Sequence, residues 1–123
     1  MKRILIADDE KDLRFVLREV FEDYKQYDVY EAKDGDEALD MALRLQPDLI
    51  LLDVMMPGRT GYDVAQEIVK SQIGAIIIML SAKAQKSDME EGLKKGADYY
   101  IKKPFDLMEL MSLVDKVLEG RKN

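Results

Sequence analysis

Cysteine and histidine are both absent from the 123 residues of this sequence. Without cysteine, the chain can form neither disulfide bonds nor thiolate metal sites. Without histidine, it has no imidazole for general base catalysis or metal binding, and it cannot carry a phosphohistidine. Any acid–base, metal or phosphoryl chemistry of this chain must therefore use carboxylates, hydroxyls and amines.

Long hydrophobic runs are also missing. The longest purely apolar run, residues 75–80, is much too short to span a bilayer. The four apolar residues at 4–7 are too few for the core of a secretory signal peptide. The formal net charge of −6 disfavours nucleic acid and anionic membrane surfaces, because both attract clusters of cations. We therefore expect a cytoplasmic protein that binds neither nucleic acid nor membranes.

The composition is that of a folded domain. Hydrophobic residues make up 47% of the chain and charged residues 36%, which supplies a core and is not the profile of a disordered segment. A chain of this length buries about two thirds of the surface that its unfolded form exposes. We predict a single domain over residues 1–123 that needs no disulfide to fold.

Short apolar runs alternate with helical patterns along the whole chain. Four of the five runs are nearly continuous, as expected for strands covered by helices on both faces. The second run, 28–32, mixes polar and apolar residues and is typical of an edge strand. The alternation predicts an α/β fold, (βα)5, with a doubly wound five-stranded parallel sheet and right-handed crossovers. The predicted strands are 3–7, 28–32, 49–52, 75–81 and 99–102.

Apolar residues spaced three and four apart predict a helix after each strand. In the third helix, predicted over 61–71, Ala65, Ile68 and Val69 should face the sheet. The last helix should begin with Asp106 as its N-cap. The residues expected to face the sheet in the first helix are Leu13, Val16, Leu17, Val20, Phe21 and Tyr24.

The fourth helix, about 86–95, has a weaker pattern than the others. Met89 and Leu93 are its only large apolar residues, and Gly92 lies in its middle. A glycine there costs ~1 kcal/mol relative to alanine. We therefore expect this helix to be weakly held.

Polar side chains stand where four of the five strands end. The first strand is followed by Asp8, Asp9 and Glu10. Asp53 stands at the end of the third strand, Ser81 at the end of the fourth and Lys103 after the fifth. The ligand crevice of an open α/β sheet lies outside the carboxyl ends of its strands, so these groups should meet there.

Such a cluster of carboxylates needs a cation. Two carboxylates ~5 Å apart repel by about 3 kcal/mol at an effective dielectric constant near 20. An all-oxygen ligand set favours Mg²⁺ or Mn²⁺, and one lysine together with the divalent ion balances three acids. A site of this kind can polarise a phosphoryl group while a carboxylate attacks it.

Each of these residues also has an ordinary structural explanation. The acids at 8–10 can cap a helix, and Asp53 can begin a turn before Pro57. Tyr100 can serve packing alone. These explanations do not account for the placement of all the groups at the ends of four strands, and the sequence therefore favours a functional site.

Four motifs together resemble the receiver domain of two-component response regulators, the CheY-like family. They are "IADDE", "LLDVMMPGRTG", "LSAK" and "YYIKKPF", in the order and spacing of that family. The resemblance covers nearly the whole chain. It implies the flavodoxin-like strand order 2-1-3-4-5, with Mg²⁺ as the cofactor, and a sensor histidine kinase or phosphotransfer protein as a partner.

The resemblance also implies roles for individual acids. Asp53 matches the phosphoacceptor. Asp9 and Asp53 would bind Mg²⁺ through their side chains and Met55 through its backbone carbonyl, whereas Asp8 would act through metal-bound water. An apolar Met55 offers water no hydrogen bond, and we therefore expect slow dephosphorylation.

The remaining implied roles concern the phosphoryl group and the switch. Ser81 and Lys103 would contact the transferred phosphoryl group, and Ala82 would leave room for it. Ser81 and Tyr100 match the switch pair, with the tyrosine turning inward upon activation. The Lys103–Pro104 bond is expected to be cis.

The implied function is a phosphorylation-controlled signalling switch, not an enzyme in its own right. It would assist its own phosphorylation by a kinase or small phosphodonor and change its helix 4, strand 5 and helix 5 surface to regulate a downstream protein, with a phosphorylation-dependent dimer as one option. The alternative is a receiver domain excised from a larger response regulator or hybrid kinase with an unseen output domain. The sequence leaves both open.

Three other classes fit less well. A haloacid-dehalogenase-type phosphatase needs a second acid two residues after its nucleophile, where this chain has Met55. A flavin-binding electron carrier needs a phosphate-cradling loop after the first strand, but "DDEKDL" is acidic. A pseudo-receiver would lack an acid or the lysine.

Overall fold

The computed structural model describes residues 1–120, and the predicted domain span, 1–123, includes three residues that lie outside this described part. Five parallel strands form one sheet in the order 2-1-3-4-5, by strand number along the chain. This confirms the predicted α/β fold, the edge position of the second strand and the strand order. The strands are β1 Arg3–Ala7, β2 Asp28–Ala32, β3 Leu49–Asp53, β4 Ile76–Ser81 and β5 Tyr99–Lys102.

Helices cover both faces of the sheet, one after each strand. The last of them begins as predicted, because the Asp106 carboxylate accepts a hydrogen bond of 3.1 Å from the backbone N–H of Glu109. A π-helical segment, Glu19–Tyr24, continues the first helix. The α-helices are α1 Lys11–Arg18, α2 Gly35–Leu45, α3 Gly61–Lys70, α4 Lys86–Lys95 and α5 Leu107–Glu119.

Each face of the sheet has its own apolar core, because successive strand residues point to opposite sides. Leu5 and Ala7 of β1 pack with α2 and α3, whereas Ile4 and Ile6 pack with α1 and α5. Both faces of the central strands are therefore covered, and all five residues of β3 are buried, including Asp53. Asp53 is the last residue of β3, so its carboxylate lies at the carboxyl end of the sheet.

Two of the helix faces differ from the prediction. Tyr24 and Val16 were expected to face the sheet, but both are exposed. The backbone N–H of Lys25 bonds to the carbonyl of Val20, five residues back, and this wider turn rotates the end of the segment away from the sheet. In α3, Val69 is exposed and Val64 is buried instead, so the buried stripe lies toward the N-terminal side of the predicted one.

The strand limits differ by single residues. The third strand runs one residue beyond the predicted 49–52, and the fourth begins one residue later than the predicted 75–81.

Among the described residues, none of the helices combines the length and apolar character that crossing a bilayer requires.

Candidate functional site

The two central strands bring Asp8 and Asp53 side by side. β1 and β3 are neighbours, with Ala7 paired to Leu52, so the residue after each of these lies at the same sheet edge. Both acids are buried: Asp8 is 2% exposed and Asp53 5% exposed. Carboxylate oxygens of the two residues lie within 4.8 Å of each other. Two carboxylates that are buried this close together require a cation nearby.

In this structure the cation is Lys103. Its ammonium lies 2.8 Å from Asp8 Oδ2, 3.0 Å from Glu10 Oε1 and 3.3 Å from Asp53 Oδ2. The backbone N–H of Lys103 donates to the carbonyl of Ser81, which anchors the residue beside the end of β4. The following Lys103–Pro104 bond is cis, as the resemblance implies.

Burial and charge shift the proton affinities of this group. Burial raises the pKa of Asp53 to about 6, and the neighbouring Asp8 adds to the rise, while Lys103 and the N–H of Met55 oppose it. Burial alone would lower the pKa of Lys103, but hydrogen bonds to Asp8 and Glu10 raise it well above its ordinary value. Lys103 therefore remains protonated at every pH at which the neighbouring acids begin to ionise.

The raised pKa of Asp53 predicts a pH-dependent stability for the metal-free protein. The folded state holds this proton with a pKa of about 6 and the unfolded chain with 3.8. The resulting stabilisation is complete below pH 4 and is lost as the pH rises through 6. The difference in free energy of unfolding between an Asp53→Asn variant and the wild type should thus grow by about 2 kcal/mol from pH 4 to pH 7. Urea unfolding in chelator at several pH values measures it, and parallel curves would contradict the assignment.

Three carboxylates in this cluster can bind a metal ion. Oxygen atoms of Asp8, Glu10 and Asp53 all lie within 4.8 Å of one another. This all-oxygen donor set is the kind that Mg²⁺ prefers. Within the described residues, the geometry therefore fits the cation that the sequence predicts.

The structure brings together some of the predicted site residues and not others. Asp8, Asp53 and Lys103 meet, whereas the Asp9 side chain is exposed and is not part of the carboxylate cluster. The side chain of Met55 is also exposed, and its N–H donates to Asp53 Oδ1 at 3.2 Å. Sequence reasoning placed Glu10 at the end of the first strand, with helix capping as an alternative, but assigned it no role in metal or phosphoryl binding. The signal for it was present, because this third acid stands at the same strand end.

Ser81 lies next to the cluster at the end of β4, where its carbonyl accepts the N–H of Lys103, and Tyr100 lies on the neighbouring strand β5. Ser81 is fully buried, and its hydroxyl accepts a hydrogen bond of 3.0 Å from the N–H of Lys83. The hydroxyl of Tyr100 donates to the carbonyl of Lys83, and burial raises the pKa of Tyr100 to about 12. The segment after β4 is thus bonded to both residues through Lys83.

Gly92 makes room for the Tyr100 ring. A Cβ at Gly92 would lie 2.6 Å from Tyr100 Cδ2 and 2.9 Å from Met79 Sδ. The glycine that weakens α4 as an isolated helix therefore permits close packing of α4 on the sheet. Helix propensity predicted the destabilising effect of Gly92 on α4, but it could not predict the close approach of Gly92 to the Tyr100 ring.

Comparison with known proteins agrees with this arrangement. The family model of the response regulator receiver domain matches residues 4–115. The receiver domain of Francisella response regulator 1452 is 34% identical, with a TM-score of 0.92, over 99% of this chain and 100% of that one. A CheY-like receiver domain protein from Methanospirillum hungatei JF-1 is 27% identical, with a TM-score of 0.91, over 98% and 95%. In the CheX–CheY–BeF3–Mg²⁺ complex from Borrelia burgdorferi, the matched chain is 28% identical, with a TM-score of 0.87, over 95% and 89%.

This chain belongs to the response regulator receiver domain family. Receiver domains are signalling domains and not enzymes in the usual sense, and they bind Mg²⁺ at an acidic pocket. They interact with histidine kinases or phosphotransfer proteins.

Proposed function

We propose that this chain is a phosphorylation-controlled switch in which Asp53 accepts a phosphoryl group. The donor is a phosphohistidine of a sensor kinase or phosphotransfer protein, or a small phosphodonor such as acetyl phosphate. A carboxylate oxygen of Asp53 attacks phosphorus, the bond from phosphorus to the donor breaks, and an acyl phosphate results. The observation that carries this proposal is the convergence of buried Asp53 and Asp8 on the Lys103 ammonium.

A Mg²⁺ ion would be held by the side chains of Asp9 and Asp53, by the backbone carbonyl of Met55 and by Asp8 through water. The side chain of Asp9, which is exposed and lies outside the cluster of Asp8, Glu10 and Asp53, would have to turn toward the ion. When bound, the cation supplies positive charge opposite the phosphoryl oxygens. The Lys103 ammonium supplies the second positive charge, since it already lies within 3.3 Å of Asp53 Oδ2. The protein's part is to hold these groups in place before the donor arrives.

Phosphorylation changes the hydrogen bonds around Asp53. The charge there rises from −1 to about −2 and new acceptor oxygens appear. Lys103 would exchange part of its contact with Asp8 and Glu10 for the phosphoryl group, and Ser81 would turn its hydroxyl toward the same oxygens. Since the Ser81 hydroxyl accepts the N–H of Lys83, its movement frees the segment that also bonds to Tyr100.

The readout surface would consist of α4, β5 and α5, which lie at one end of the sheet. Of the large apolar residues of α4, Leu93 is 52% exposed, so the helix is held by few buried side chains and can change its packing. This surface would regulate a downstream protein in the cytoplasm, with dimerisation upon phosphorylation as one form of output. The Borrelia complex of CheX, CheY, BeF3 and Mg²⁺ supports, by analogy, a protein partner and Mg²⁺ for this chain.

The direct test is phosphorylation in solution. With acetyl phosphate and Mg²⁺, mass spectrometry should detect one phosphoryl group on the chain, located at residue 53 by peptide mapping. Chelation of Mg²⁺ should prevent the labelling. Labelling at another residue, or none with Mg²⁺ and several donors, would refute the proposal.

The acyl phosphate should be lost slowly. Met55 lies two residues after the acceptor, its side chain is 58% exposed, and a thioether is at best a weak hydrogen-bond acceptor for an attacking water. A Met55→Asn variant should therefore lose its label several-fold faster, because an amide can orient the water. An unchanged lifetime would count against a role for this side chain.

A further inference from the structure

Arg14 of α1 connects the acidic turn at residues 8–10 to the edge of the sheet. Its Nη1 donates to the backbone carbonyl of Asp8 at 2.8 Å, and its Nε donates to Glu31 Oε1 on β2 at 3.0 Å. The side chain is only 14% exposed. Arg14 thus links the side chain of Glu31 on β2 to the backbone of Asp8, and this link is called the brace below.

Other contacts also hold the turn: the Lys103 ammonium binds the side chains of Asp8 and Glu10, and the backbone N–H of Arg14 donates to the carbonyl of Glu10 at 3.1 Å. The N–H of Asp8 donates to the carbonyl of Ala32, and the N–H of Glu10 donates to Asp8 Oδ1 at 2.8 Å. The carbonyl of Asp8 lies just beyond the last residue of β1, where ladder pairing with β2 ends at Ala7 and Ala32. The side-chain hydrogen bond that this carbonyl accepts comes from the guanidinium of Arg14.

Glu31 holds Arg14 in position. Its carboxylate accepts from Arg14 on one oxygen and, on the other, from Arg18 Nη1 at 2.7 Å. Burial alone would raise the pKa of Glu31, but the two arginines lower it, so the carboxylate stays ionised near neutral pH. Two charge-assisted hydrogen bonds fix the orientation of this acceptor.

Arg18 provides a matched comparison within the same helix. Like Arg14 it carries one positive charge and binds Glu31, but its other contacts are to Glu22 and not to the turn. Loss of either arginine removes the same charge from the same ion-pair group. Only loss of Arg14 releases the Asp8 carbonyl.

We propose that Arg14 is a positioning residue that holds the turn 8–10 in place for the divalent cation of the acidic pocket. This inference rests on the proposed function, because it concerns the same site. Groups that orient metal ligands commonly contribute about tenfold or more to metal affinity. Without the brace, binding must also order the turn, and the affinity falls.

The direction of the effect separates this role from simple electrostatics. Removing a cation from the neighbourhood of a carboxylate cluster favours Mg²⁺ by Coulomb's law, so an electrostatic role predicts tighter binding by an Arg14→Ala variant. A positioning role predicts weaker binding. Arg18→Ala should show only the electrostatic effect.

Calorimetric titration with Mg²⁺, together with NMR of the metal-free protein, tests the proposal. Arg14→Ala should bind Mg²⁺ about tenfold more weakly than the wild type, Arg14→Lys should recover part of the loss, and Arg18→Ala should bind at least as tightly as the wild type. The amide signals of Asp9 and Glu10 should shift and broaden in Arg14→Ala but not in Arg18→Ala.

Two outcomes overturn the inference: unchanged or tighter Mg²⁺ binding by Arg14→Ala, or equal losses in both arginine variants. If Arg14→Ala does not fold, as judged by circular dichroism, Arg14→Met replaces it. This variant keeps much of the aliphatic stem but loses the donors to Asp8 and Glu31, so a loss of at least threefold in Mg²⁺ affinity is expected, whereas the loss of positive charge alone predicts tighter binding. A wild-type protein that binds no Mg²⁺ would refute the proposed function instead, and the amide signals would still test the brace.

Discussion

Replacement of Asp53 by asparagine is expected to abolish phosphoryl labelling of this chain. The substitution preserves shape, and one amide oxygen can still accept the N–H of Met55. It removes the anionic oxygen that attacks phosphorus, and a neutral amide is not a nucleophile for this step. Because the acid is buried and its pKa is raised, the variant should remain folded and be at least as stable as the wild type near neutral pH.

Asp63→Asn is the control for this experiment. Asp63 is an exposed acid in the first turn of α3 and is not part of the carboxylate cluster. Its variant should be labelled by acetyl phosphate at the wild-type rate. Undiminished labelling of a folded Asp53→Asn variant would show that the acceptor is another residue.

Replacement of Gly35 by alanine is expected to have the largest effect on stability. The N-terminus of α2 touches the loop between β3 and α3 here, with the Gly35 N–H donating to the carbonyl of Pro57 at 3.2 Å. A Cβ at Gly35 would lie 1.9 Å from the carbonyl oxygen of Arg59. Because that neighbour is backbone, the loop or the helix must move, at a cost of about 3 kcal/mol.

The same substitution should impair the site. The displaced loop begins directly after Asp53 and includes Met55, and its position is further tied to α2 by the ion pair of Arg59 and Asp36 at 2.8 Å. Urea unfolding measures the loss of stability, and the rate of labelling with acetyl phosphate at saturating Mg²⁺ measures the displacement. We expect both to decrease.

Gly120→Ala is the matched glycine control. Gly120 has a φ of −66°, which any residue adopts, and its nearest neighbour to a new Cβ is the carbonyl oxygen of Lys116 at 3.4 Å. We expect a change in stability below about 1 kcal/mol. Equal unfolding midpoints for Gly35→Ala and the wild type would contradict the predicted steric conflict.

The sheet could be predicted from the sequence because its signals are local. A continuous apolar run such as 49–52 indicates a strand buried on both faces, and the mixed run 28–32 indicates an edge, which the structure confirms. Asp53 itself was recognisable because it interrupts such a run. The strand order came from the family resemblance, since periodicity does not encode which strands are neighbours.

Helix faces were less predictable where the backbone departs from α-helical geometry. Tyr24 matched the apolar spacing of the first helix but is exposed, because the π-helical turn changes the angle between successive residues. Gly92 was recognised only as a weak point of its helix. Its contact with the Tyr100 ring depends on how α4 lies on the sheet.

The sequence by itself determined the alternation of strands and helices, the chemistry available to the chain and the identity of the acids and the lysine at the strand ends. Only the tertiary structure decided that Lys103 binds Asp8, Glu10 and Asp53, and that Asp9 is exposed. The physical reason is that apolar patterns act over a few residues, whereas these contacts depend on strand register and turn geometry between segments up to 95 residues apart.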